Sequence, residues 1–386
     1  MYPRWGPPRA PHRRTSALVG CFVLAAATAA RAQGGSQPAP LESTPFTRWL
    51  PLAVAVVLAL LPLAAGEYFV NLGSQVLIAV VFASSLNLLT GYGGLTSLGH
   101  ASFLGISAYT SAWLALKLGL SHALTAPLAL LVTTGAGMLF GWISLRATGL
   151  GFLMLTLALS QIVWGLAYRL VNVTNGDNGL SGLTRPHPFG WDLDISNNFY
   201  WFALAITCAC IYAMKRLVES PFGASLRGTR EQPRRMEALG FHVWAIRWAT
   251  FVAASFFGGV AGLLYVYFHK YIHPSVMSVS VSAEALLSVI AGGPGTVYGP
   301  ALGALVVVLL KNYASAFVER WNLMLGLVFI FIVVFMPGGL AAGLPWLRRR
   351  SPEEEPEPAS APVVPAQAGT QSLVAAAEPE RAGGGA

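Results

Sequence analysis

Charge is scarce in this chain. Of its 386 residues, 10 % are Asp, Glu, Lys or Arg, against roughly 25 % in ordinary soluble domains. That shortage excludes an ordinary soluble domain. Cysteine is as rare: Cys21, Cys208 and Cys210 lie within apolar runs without CxxC or metal-ligand spacing, so no zinc or dithiol centre is expected and they read as small hydrophobes. No G-x-x-x-x-G-K-[ST] loop, nucleophile elbow, zincin pattern or pair of catalytic carboxylates occurs. No catalytic residue and no metal site is therefore expected, and hydrolysis of nucleotide on a phosphate loop is excluded. The apolar runs do not alternate with polar residues, which excludes a membrane β-barrel. The net charge of +8 does not mark a nucleic-acid partner, because the positive residues sit between apolar runs, where the positive-inside bias accounts for them.

Apolar length is what the chain has. Hydrophobic residues make up 55 % of it, and its mean hydropathy is +0.59. Runs of the roughly 17–25 residues needed to cross hydrocarbon as helix predict spans at 49–65, 68–90, 98–118, 122–145, 149–171, 198–214, 246–268 and 321–336, with a broken segment at 282–314. The expected fold is an all-α, polytopic transmembrane helical bundle with a broken, re-entrant C-terminal segment. Residues 1–48 read as a leader-like or disordered extension: arginines precede the apolar run Ala17–Ala30, and Ala30-Arg31-Ala32 has the form of a cleavage site. A signal peptide, an upstream extension and a short anchor are all compatible with it. The transmembrane domain covers 49–340, and the Pro-, Glu-, Ala- and Gly-rich 341–386 reads as a disordered tail.

The basic residues orient the chain. The loop 215–247 holds Lys215, Arg216, Arg227, Arg230, Arg234, Arg235 and Arg247 against three glutamates, a surplus that assigns it to the cytosol. The loop 172–197 then falls outside. Were 282–314 a single span, Arg348-Arg349-Arg350 would end outside, against the charge rule. A break at Gly292-Gly293-Pro294-Gly295, giving two short helices near 282–291 and 300–311, returns the tail to the cytosol.

Two glycine-rich stretches interrupt apolar helices: Gly91-Tyr92-Gly93-Gly94 through His100, preceded by Asn87, and Gly292-Gly293-Pro294-Gly295-Thr296. Broken helices in a membrane are tolerated where protein or water covers the freed backbone, and in transporters they line the solute route. Tight turns at the membrane surface fit the same sequence. Candidate route residues are Asn87, Thr96, Ser97, His100, Gln161 and Glu284. His100 fits a structural hydrogen bond or a gate, and Gln161 an internal hydrogen bond, since hydrocarbon offers its amide nothing. Glu284 faces water at a helix end or, if buried, needs a partner. In the basic loop, Pro221 and Gly223 are expected to end the preceding helix, and Pro233 to open a short one over Arg234–Leu239. Such a helix fits a lipid-facing amphipath, for which Met236 and Leu239 make a small apolar face, or a peg for a groove in a cytosolic partner, the preferred reading. The coupling loop around it carries Arg227, Arg230, Arg234, Arg235, Glu237, Ala238 and Gly240.

Five ordered segments carry a resemblance. They are Gly91 to Phe103, Asn178-Gly179-Leu180-Ser181-Gly182-Leu183, Phe222 to Arg227 with Glu237-Ala238-Leu239-Gly240, Gly292 to Ala304, and Trp321 to Gly326 leading to Phe335 to Leu340. Over about 68–340 the chain resembles the LivM-type permease of branched-chain amino acid ABC importers. The resemblance implies a permease subunit of the bacterial inner membrane, paired with a homologous second permease. It also implies two cytosolic ATPases that carry the ATP and Mg, with no cofactor on this chain, and a periplasmic binding protein delivering leucine, isoleucine or valine. The basic segment would dock on an ATPase. Pro294 and the run Pro233-Arg234-Arg235-Met236 depart from the family's usual pattern. Permeases for urea, short amides or other small amino acids share much of it, and a secondary transporter would instead need a buried ionisable residue.

Overall fold

Inside hydrocarbon a run of apolar residues satisfies its own backbone by forming helix, and the chain follows that rule. The computed structural model describes residues 62, 66–186 and 192–317 and isolated positions within 323–340. The expected spans at 49–65 and 321–336, the 1–48 extension and the 341–386 tail fall almost wholly outside the described residues. Helix α1 (Glu67–Asn87) runs on as a π-helical turn, Leu88–Tyr92. After an extended stretch come α2 (Ala101–Leu118), α3 (His122–Ser144) and α4 (Leu150–Arg169). Helix α5 (Ser196–Glu219) leads into two short helices, α6 (Pro221–Glu231) and α7 (Pro233–Ala238), and then α8 (Val243–His269). A hairpin of α9 (Val279–Gly292) and α10 (Gly299–Phe317) follows. Among the described residues α1 with its π turn, α3, α4, α5 and α8 are each long and apolar enough to cross a membrane. The fold is an all-α, multi-pass bundle.

Helix α1 sits at its centre, packed against α5, α8, α9 and α10. Of its most apolar stretch 83 % is buried, against 22 % for α4, so α4 presents most of its surface outward. Lipid is as apolar as leucine, so close packing and not water exclusion holds such helices together. The crossing of α2 and α8 shows how close: a Cβ on Gly262 would lie 2.2 Å from the Leu104 carbonyl oxygen.

One boundary differs from the sequence reading, and one element was not foreseen. The expected span 98–118 becomes helical only at Ala101; the residues before it are unwound yet folded into the bundle, where Ser97 and His100 are fully buried. Helix α5 does end just before Pro221, at Glu219 with Ser220 extended, but Pro221 and Gly223 also open a further helix, α6, that the sequence reading does not place. A proline in the first helical turn gives up an N–H that has no partner there in any case.

The end of the bundle opposite α6 and α7 is tied by polar contacts. Ser196 Oγ donates to Glu67 Oε1 at 3.0 Å, and Lys270 pairs with Asp194 at 2.6 Å. A two-residue antiparallel ribbon joins β1 (Leu180–Ser181) to β2 (Tyr271–Ile272), with Leu180 opposite Ile272. Arg185 gathers the same region. It donates to the carbonyls of Tyr267 (3.0 Å), Leu193 (2.8 Å), Phe268 (3.1 Å) and Asp194 (3.3 Å), with its guanidinium over the Phe199 ring. Burial pushes this guanidinium down from its ordinary range, with Asp194 opposing.

Candidate functional site

The two glycine-rich breaks, about two hundred residues apart in sequence, meet in space. Asn87, at the last turn of α1 and almost fully buried, uses its whole amide to join them. Its Nδ2 donates to the Thr296 carbonyl at 2.8 Å, and its Oδ1 accepts from the Gly295 N–H at 3.0 Å. Glycine is required at the contact: a Cβ on Gly91 would stand 2.0 Å from Asn87 Oδ1 and 2.4 Å from the Gly295 nitrogen. The second break holds its own shape, since Thr296 Oγ1 donates to the Gly293 carbonyl (2.8 Å) and accepts from the Gly299 N–H (3.1 Å). Gly293 and Gly295 take φ of 106° and 82° on either side of Pro294. L side chains rarely adopt such a backbone.

Arg230, near the end of α6, reaches into this junction. Its Nη1 donates to the Gly91 carbonyl, one of the acceptors freed where α1 unwinds. A Cβ on Gly94 would lie 2.9 Å from Arg230 Cγ, and one on Gly295 3.5 Å from Arg230 Nη1. The arginine stem therefore passes between the breaks. Burial pushes its guanidinium down, with Glu231 opposing. Arg247 of α8 donates to the Thr229 carbonyl at 3.0 Å and so fixes the end of α6 from its other side. Arg227 is half-buried, while Arg234, Arg235, Glu237, Ala238 and Gly240 are exposed. Among the described residues no ion pair engages Arg234 or Arg235.

The unwound stretch carries the first break into the bundle. Ser97 Oγ accepts from the Gly99 N–H (3.3 Å), and Ser282 Oγ of α9 accepts from the Ala101 N–H (3.0 Å), capping α2 from another helix. His100 Nε2 lies 2.7 Å from Ser85 Oγ, and Ser85 Oγ donates to the Phe82 carbonyl at 2.7 Å. With the serine proton committed to Phe82, His100 Nε2 is the donor and Nδ1 is left as an acceptor. That Nδ1 is buried with no partner among the described residues. The ring stacks on Phe82 and meets Phe103 edge-on. His100 thus holds α2 against α1.

Beside Asn87 lies a void of about 10 Å³ bounded by Ser84, Tyr92, Met214 and Val297. It is at the limit for one water and too small to hold an organic solute. Thr96 and Gln161 are half-buried and make no side-chain hydrogen bond among the described residues. Glu284 engages Lys311 of α10, its Oε2 lying 3.0 Å from Nζ.

Comparison with known proteins fits this geometry. A family model described as the branched-chain amino acid transport system permease component matches residues 68–334. The chain belongs to that family. It is 28 % identical over 327 residues to the high-affinity branched-chain amino acid transport system permease proteins LivM of Salmonella typhimurium and Escherichia coli, covering 78 % of this chain and 77 % of each of theirs. A guanosine ABC transporter permease protein, NupQ of Bacillus subtilis, is 26 % identical over 209 residues, or 48 % of this chain and 65 % of NupQ. No solved structure matches. In this family member, sequence reasoning had found the breaks and the basic segment but not Arg185 or Lys311. Both were visible as lone cations, one in the 172–197 loop and one in the apolar run of α10.

Proposed function

We propose that this permease is the membrane subunit of an ATP-driven importer of branched-chain amino acids, with its basic helices α6 and α7 facing the cytosol and the 172–197 loop facing outward. A homologous second permease, two cytosolic ATPases and a periplasmic binding protein complete the importer. ATP and Mg belong to the ATPases, since this chain has no phosphate loop of its own. Charge supports the orientation, because the basic surplus lies in 215–247. The observation that carries the reading is the reach of Arg230 from the basic helix to the freed Gly91 carbonyl at the meeting point of both breaks. Force applied to α6 and α7 from outside the bilayer would arrive at the two segments whose backbone is free to rearrange. Arg234 and Arg235, exposed and without an ion pair among the described residues, supply a positive surface for an acidic groove on the ATPase.

The relatives named for branched-chain amino acid transport support the substrate class, and the relative named as a guanosine permease supplies the competing solute class. Uptake into proteoliposomes, with ATP inside and the cognate binding protein outside, decides between them. Labelled leucine, isoleucine or valine should accumulate, and excess guanosine or urea should not compete. Accumulation without ATP, or of guanosine or urea in place of the amino acids, would overturn the proposal.

A further inference from the structure

Glu284 and Lys311 form an ion pair at a depth where charge is costly. Lys311 Nζ donates to Glu284 Oε1 at 3.2 Å and to Oε2 at 3.0 Å, and 43 % of the lysine side chain and 21 % of the glutamate remain exposed. One residue on, Asn312 Nδ2 lies 3.4 Å from Gln75 Oε1 of α1. Gln75 fixes the depth. It stands eight residues beyond Glu67, about 12 Å along the helix axis, in an element whose 26 residues extend about 39 Å. The hydrocarbon layer is about 30 Å thick, so these four polar side chains lie within it. Lys311, twelve residues past Gly299, sits about 18 Å along α10 from the break at the basic end.

An ion pair left this exposed would be unfavourable against lipid at this depth: desolvation of the two charges offsets most of their attraction, and an apolar pair of the same shape is often the more stable choice. Helices α9 and α10 are already held together by the short turn between them and by contacts as close as Gly303 on the Ser288 carbonyl, where a Cβ would lie 1.8 Å away. Adhesion therefore does not explain the pair. The face shared by α1, α9 and α10 must open on water or protein.

We propose that Glu284 and Lys311 are a binding site for the two charged ends of a zwitterionic amino acid on its way through the importer. This rests on the reading of the chain as an amino acid permease. An α-amino acid carries an ammonium and a carboxylate on neighbouring atoms, and the resting pair presents their mirror image. The solute ammonium replaces that of Lys311 at the Glu284 carboxylate, and the solute carboxylate replaces that of Glu284 at the Lys311 ammonium. The number of ion pairs does not fall during the exchange, so no charge is left bare in the membrane. The Gln75 and Asn312 amides flank the site as neutral donors and acceptors. An uncharged solute such as urea gains nothing from this arrangement.

The test replaces both partners with an unbranched apolar side chain, Glu284→Met with Lys311→Met, in the assembled importer. Assembly and ATP hydrolysis stimulated by the binding protein should persist, and leucine uptake should fall at least tenfold. A second measurement places a thiol beside the pair, Gln75→Cys in a chain whose native cysteines are alanine. Leucine delivered by the binding protein should slow its reaction with a membrane-impermeant thiol reagent at least threefold, and the double Met change should abolish that protection. Uptake within twofold of the unaltered importer, loss of assembly, or labelling indifferent to leucine would each overturn the proposal. An unaltered importer that accumulates no amino acid overturns both this site and the reading beneath it; unchanged uptake in the double variant overturns the site alone.

Discussion

Replacing Asn87 with alanine should loosen the junction of the two breaks by a calculable amount. The change removes the donor to the Thr296 carbonyl and the acceptor of the Gly295 N–H. Each backbone group left unpaired in a buried site costs about 1–3 kcal/mol. Two would give about 2–6 kcal/mol, but the truncated side chain enlarges the small void beside it and admits water, which favours the lower end. A change of about 2 kcal/mol shifts an open–closed ratio roughly 30-fold. Hydrogen exchange on the peptide spanning 292–299, read by mass spectrometry with the protein in lipid nanodiscs, reports this directly. Protection of the Gly295 amide should fall by that factor in Asn87→Ala and survive in Asn87→Asp, which keeps the acceptor. Exchange unchanged within twofold in the alanine variant would show that Asn87 does not couple the breaks.

Arg234→Glu with Arg235→Glu should abolish co-purification of the ATPase and uptake together while the permease still inserts and folds, because both side chains are exposed and enter no ion pair among the described residues; retained docking would refute the role given to α7. Arg185→Met leaves the carbonyls of Tyr267, Leu193 and Phe268 without their charged donor, and three charge-assisted bonds at the lower end of about 1.5–3 kcal/mol each make a loss of about 4–5 kcal/mol the expected outcome of a denaturation titration. Gly262→Ala forces a methyl against the Leu104 carbonyl and should destabilise the α2–α8 crossing by about 1–3 kcal/mol, seen as a lower Tm in detergent.

Local composition decides how much of this was legible beforehand. Apolar runs name their own helices, and Gly292-Gly293-Pro294-Gly295 announces its break, because proline and glycine act on the backbone where they stand. The α9–α10 hairpin was therefore readable. The break after Gly91 was readable from its glycines, but its extension through residues 98–100 was not, since Leu98 is as apolar as any helix residue, and Ser282 and Ser85 on other elements hold that stretch open. Pro221 reads as a stop, and α5 does end just before it, but that the chain turns at Ser220 and starts a new helix at Pro221 is set by packing that the proline alone does not encode. Arg230 and Lys311 were visible as cations, but their partners, the Gly91 carbonyl and Glu284, are set by packing that no spacing rule encodes.

On the proposed reading, work done on the basic helices reaches the breaks through one side chain, Arg230. Arg230→Met keeps the aliphatic stem against Gly94 and deletes the donor to Gly91. Uptake and ATP hydrolysis measured side by side in the reconstituted importer test it. Hydrolysis stimulated by the binding protein should continue in an assembled complex while leucine uptake drops at least tenfold. Uptake that keeps pace with hydrolysis in that variant would contradict the claim.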